Sequence, residues 1–146
     1  MLGFMRTLQI AIVVLLCAVC QSALALDASP KPSAAQLREW AEGSCIRAGK
    51  HAGIDYAHSL DRAITRDPAG LATLLRFTDS GWCDGGAGEG HAAILFGLLQ
   101  RWGDGPFSRV LRTQKGPVRK AVVNELVYFP DFKRTEFPLT NASAPH

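Results

Sequence analysis

From Ser33 to Leu126 apolar side chains recur every three or four positions, glycine or proline breaks the pattern at short intervals, and no segment alternates with period two. A period near 3.6 gives each segment one buried helical stripe, whereas strands would need alternation. The chain is therefore expected to be all-α, a small helical bundle or short stack of about six helices.

Ser33 can cap a first helix over about 34–48, where Leu37, Ala41 and Cys45 recur every four residues beside Trp40, Ser44 and Ala48. Gly49 and Gly53 bound a break, and a second helix over about 54–66 turns Ala57, Leu60, Ala63 and Ile64 inward. Asp67-Pro68 combines a cap with a first-turn proline and starts a third helix that carries Leu71, Leu74 and Leu75 and ends near Thr78. Ala92, Leu95, Leu98, Leu99 and Trp102 form the inward face of a fourth. Asp104-Gly105-Pro106 and Gly116-Pro117 restart the chain for a fifth helix (Phe107, Val110, Leu111) and a sixth (Val118, Ala121, Val122, Leu126). The helical domain is thus expected over 33–128, after a linker at 26–32 and before an extended tail at 129–146 with loose last residues.

The start of the chain reads as an address. Arg6, an apolar run from Leu8 to Val19 and the Ala23-Leu24-Ala25 ending are the parts of a secretory signal peptide, cut after Ala25. A retained anchor needs about 20 apolar residues, and Gln9 and Gln21 bracket a shorter run. Lipoprotein processing at Cys17 or Cys20 is disfavoured by the bulky Leu16 and Val19 before them. The expected location is periplasmic or secreted, with no membrane span after the signal is removed. A composition 47% hydrophobic and 20% charged excludes disordered and collagen-like classes, and the net charge of +3 is too mild to indicate nucleic-acid binding.

Cys45 and Cys83 remain after cleavage, and an exported pair without Cys-x-x-Cys spacing is expected to form a structural disulfide. Such a bridge is worth about 3–4 kcal/mol in the loop-entropy picture.

Two segments, Asp67-Pro68 to Leu75-Arg76 and Asp104 to Leu111-Arg112, share an acidic cap, a proline and paired apolar residues ending in Leu-Arg, and each precedes a longer apolar helix. This loose pattern over about 67–127 resembles HEAT-like repeats. The stretch from Trp102-Gly103-Asp104 to Pro138-Leu139-Thr140 resembles that of small uncharacterised exported bacterial helical proteins, which implies no activity. Trp40 and Ser44-Cys45-Ile46, within about 15 residues, resemble the opening of type VI secretion amidase-immunity proteins. That resemblance implies a helical periplasmic protein that binds a cell-wall hydrolase.

Cys83-Asp84-Gly85-Gly86-Ala87-Gly88-Glu89-Gly90-His91 could offer backbone N–H groups to an anion. A phosphate loop also needs a preceding strand and a Lys-Ser/Thr, and Asp84 and Glu89 repel phosphate, so a flexible connector over 79–90 is expected instead. Asp79, Asp84, Glu89 and His91 lack a recognised metal-ligand spacing, as do His51 and His58; no metal or cofactor is expected. Ser59, Ser80 and Ser108 have no activating neighbour in sequence, and no catalytic residue is assigned.

Between Asp104 and Glu125 lie Arg109, Arg112, Lys115, Arg119 and Lys120 with no acidic residue among them. Arg119 and Lys120 fall near a helix start, the end that favours anions, at about 0.3–1 kcal/mol each. This segment is the candidate binding site for an anion or an acidic partner, another protein before all, although a solvated face has the same composition. Nucleic acid is not expected, because no aromatic stacking platform adjoins these cations. The expected function is an exported, protein-binding module, in its most concrete form an inhibitor or immunity protein for an envelope hydrolase. The alternatives are a small periplasmic hydrolase using Asp84, Glu89 and His91, or a structural envelope protein with no dedicated site.

Overall fold

A computed structural model describes residues 30–145. The signal-peptide expectation lies outside them. All regular structure among the described residues is helical: α1 (Ala34–Ala41), α2 (Ser44–His51), α3 (Tyr56–Ile64), α4 (Pro68–Phe77), α5 (Gly85–Trp102), α6 (Asp104–Arg112), α7 (Gly116–Tyr128) and α8 (Pro138–Asn141). No helix among them is long and apolar enough to cross a membrane.

Local chemistry sets several of the boundaries. Ser33 and Gln36 form a reciprocal capping box at the start of α1, Asp55 accepts from the His58 N–H, and Asp67 accepts from the Ala69 N–H ahead of Pro68. The single helix expected over 34–48 is two helices, because Gly43 at φ 79° ends α1 and begins α2. The apolar stripe Leu37, Ala41, Cys45 runs through the break, and all three are buried. Ala57 faces solvent rather than the core, and Tyr56, Ser59, Leu60 and Ala63 hold the buried face of α3.

The long helix α5 is the axis of the fold and touches α1, α2, α3, α6 and α7. Its residues Ile94, Leu95, Leu98 and Leu99 have no exposed surface, and Trp102 donates its indole N–H to the Ala63 carbonyl at 2.8 Å. Helices α3 and α4 pack closely through Gly70, where an added Cβ would lie 2.5 Å from the Arg62 Cβ and 2.7 Å from the Ala63 nitrogen and the Ser59 oxygen.

Two segments expected to be loose are fixed in place. Pro32, in the expected linker, is buried, and its carbonyl accepts from Arg101 at 3.1 Å. The tail contains α8 and docks on α6: both Asp104 carboxylate oxygens accept backbone N–H groups, from Leu139 and Thr140, at 2.8 Å each. Thr140 and Ser143 are buried as a result.

Candidate functional site

The glycine-rich segment is largely helix, not a connector: α5 begins at Gly85, and only 78–84 joins it to α4. Asp84 occupies the N-cap position without a side-chain cap bond. The glycines make the helix start thin. A Cβ on Gly90 would lie 3.0 Å from the Cys45 sulfur and 3.3 Å from the Trp40 carbonyl, and one on Gly88 would lie 3.3 Å from the Cys83 carbonyl. Absent side chains thus let the α1–α2 elbow close onto α5.

His91 lies fully buried in the second turn of α5. The Tyr56 hydroxyl meets its Nδ1 at 2.6 Å and the Thr78 hydroxyl meets its Nε2 at 3.0 Å. Tyr56 and Phe77 pack edge-on against the ring. Burial pushes the imidazole down to about 3, so it is neutral near pH 7.

Next to it, the Cys83 thiol donates to Glu125 Oε1 at 3.8 Å, while Glu125 Oε2 is buried with no hydrogen-bond partner. Burial raises the Glu125 carboxyl to about 7, with hydrogen bonding from Cys83 opposing it. Burial, then the adjacent Glu125, pushes the Cys83 thiol far up, so it is protonated and a poor nucleophile. Ligand atoms of Cys83, His91 and Glu125 all lie within 4.8 Å of one another. These three residues could hold a metal ion.

The expected disulfide is absent. Cys45 and Cys83 are both free thiols. Cys45, on the buried stripe of α2, directs its sulfur to the Ala87 carbonyl of α5 at 3.5 Å, whereas Cys83 turns towards Glu125 of α7. Each sulfur has its hydrogen-bond partner on a different helix, and the two are not bonded to one another.

A cleft of about 570 Å³ opens above Thr78, Cys83 and Glu125. Ala92, Ala121 and Phe129 give it apolar walls, and Tyr128 stands 88% exposed at its edge. A smaller hollow adjoins it across the Trp82–Asp84 segment, where Trp82 stacks on His51 with ring centroids 4.8 Å apart. Asp84 lines both.

Of the residues singled out in the sequence, Asp84 and Glu89 are exposed and line the cleft, whereas His91 lies out of solvent contact. Asp79 is exposed and does not line it. Arg109, Arg112, Lys115 and Lys120 are exposed, and Arg119 is partly buried with an unpartnered Nε. None of the five forms an ion pair among the described residues. They run from the end of α6 to the start of α7, and Arg109 borders a separate hollow of about 540 Å³ beside Trp102.

Glu125 was missed, yet it carries a sequence signal: it follows Val118, Ala121 and Val122 by seven, four and three residues and so belongs to the inward stripe of α7. No family model matches the chain, nor does any curated protein or solved structure.

Proposed function

We propose that the protein is an exported binding module of the cell envelope that takes an apolar side chain of a protein partner into the cleft above Cys83 and Glu125. The observation that carries this reading is the combination of apolar walls with a buried, unpartnered carboxyl oxygen on the floor. Such pockets gain affinity from apolar burial and orientation from a few polar groups. A partner bringing a hydrogen-bond donor next to its apolar group satisfies Glu125 Oε2, which otherwise carries the desolvation penalty of an unpaired acceptor.

The unpaired cations Arg109, Arg112, Lys115, Arg119 and Lys120 supply a second contact that steers an acidic partner and raises its association rate. Helix pairs stacked in a HEAT-like manner would suit this role, and an inhibitor or immunity protein for an envelope hydrolase is its most concrete form. Binding is favoured over hydrolysis by the placement of His91, which is fully buried and does not itself line the cleft. A general base needs a free nitrogen within reach of the substrate.

The test is capture from the native envelope extract by the wild-type protein, by Ala121→Trp, which fills the cleft, and by Arg119→Glu/Lys120→Glu. One protein held by the wild type and lost from Ala121→Trp supports the cleft, with a weaker, salt-dependent loss expected from the charge variant. Equal capture by all three proteins refutes both contacts.

A further inference from the structure

Cys83, His91 and Glu125 come from three separate segments, the turn before α5, the second turn of α5 and the third turn of α7. Tertiary packing brings together one sulfur, one imidazole nitrogen and one carboxylate oxygen within 4.8 Å. A tetrahedral ion bound at about 2.3 Å to sulfur and about 2.0–2.2 Å to nitrogen and oxygen sets its donors about 3.3–3.6 Å apart. The Cys83–Glu125 separation of 3.8 Å is already close to that spacing.

Two further observations point to a ligand. The Tyr56 oxygen, 2.6 Å from His91 Nδ1, stands where a ligating imidazole has its outer-sphere partner: in the tautomer with Nδ1 protonated it accepts that proton, and Nε2 keeps a lone pair on the side of the cleft-lining Thr78. Glu125 Oε2, buried and unpartnered, leaves this carboxylate with spare lone pairs at the same place.

We propose that Cys83, His91 and Glu125 form a site for a borderline divalent ion of the zinc class, with the fourth coordination position open to the cleft. The mixed sulfur, nitrogen and oxygen set selects zinc, cobalt or nickel over calcium and magnesium, which take oxygen ligands. As the metal–sulfur bond forms, the thiol proton leaves to solvent, and the Thr78 hydroxyl gives up its place at Nε2. Three protein donors with an open fourth position make a centre that accepts water or a donor atom from a bound partner. The inference does not depend on the binding reading above, since its test needs no partner.

Co²⁺ titrated into the protein, purified as its host processes it, chelator-treated and kept under a phosphine reductant, reports on the site directly. One equivalent is expected to produce a near-ultraviolet thiolate-to-cobalt charge-transfer band and the intense visible bands of four-coordinate cobalt, both abolished by one equivalent of Zn²⁺. Cys83→Ser should abolish the charge-transfer band, Glu125→Gln should weaken binding at least tenfold, and Cys45→Ser should change neither. Should Cys83→Ser fail to fold, Cys83→Ala serves in its place. A charge-transfer band that survives loss of Cys83, or only the weak spectrum of six-coordinate cobalt from surface histidines, overturns the proposal.

Discussion

Glu125→Gln is expected to make the protein sensitive to acid between pH 4.5 and 6.5, because two buried groups near the cleft pull stability in opposite directions. His91 titrates at about 3 when folded and near 6.5 when unfolded. Between those values only the unfolded chain binds its proton, so stability falls as pH drops, by about 1.4 kcal/mol per pH unit. Glu125 titrates at about 7 when folded against an ordinary 4.5. Its stabilising contribution is complete below the lower value and is lost as pH rises through the upper one. Over the shared interval the two slopes cancel, and removing Glu125 exposes that of His91, worth roughly 3 kcal/mol across two pH units. Urea unfolding of both proteins at several pH values, with a chelator present, measures the effect. The variant-minus-wild-type difference removes the shared titration of surface carboxylates. A difference that stays constant from pH 4.5 to 7 would show that Glu125 titrates as an exposed carboxyl and would refute its burial.

Four further perturbations test the framework around the cleft. Gly70→Ala should destabilise by about 2 kcal/mol or more, since the added methyl meets α3 backbone and outweighs the gain of about 1 kcal/mol in helix propensity. Gly86→Ala, with nothing within 4 Å, should instead stabilise by about 0.5–1 kcal/mol in the same urea titration. Tyr56→Phe strands the Nδ1 of a buried imidazole and should cost about 1–3 kcal/mol, read by thermal and chemical unfolding. Asp104→Ala removes the acceptor of two α8 N–H groups, and limited proteolysis should then cut within 131–137 well before the helical core is lost.

Helix identity was legible wherever the determining chemistry is local. Asp67-Pro68 is a cap and a first-turn proline in any context, and the structure uses it as both. The break at Gly43 escaped notice because the apolar spacing of Leu37, Ala41 and Cys45 continues through it, and periodicity cannot register a turn that keeps its residues on one side. The run from Gly85 to Gly90 reads as a loop by composition. Its helical state follows from the nearness of Trp40 and Cys45, which lie 50 and 45 residues before Gly90 in the sequence and are invisible to local propensity. The same limit applied to the site. His91 and Glu125 sit on inward stripes and could have been marked as buried polar groups, but their partners Tyr56, Thr78 and Cys83 belong to other segments, and only packing brings them together. The expectation of export raised that of a disulfide, and tertiary geometry gave each thiol a different neighbour.

The thin start of α5 has a consequence for how occupancy of the cleft is felt. Four of its first six residues are glycine, and each lowers local helix stability by about 0.5–1 kcal/mol relative to alanine. Gly90 cannot be exchanged without pushing away the Cys45 sulfur and the Trp40 carbonyl, so closeness to the elbow and weakness of the helix are one property. The first turns of α5 are therefore the part of the axial helix that opens most readily, although they stand over a rigid core. An occupant of the cleft, which Gly85, Gly88 and Glu89 line, is expected to order these turns, an effect to be read as slower exchange of their amide hydrogens. The glycines make this wall of the cleft a tension gauge, one that registers a bound ion or partner as a gain in order along the helix.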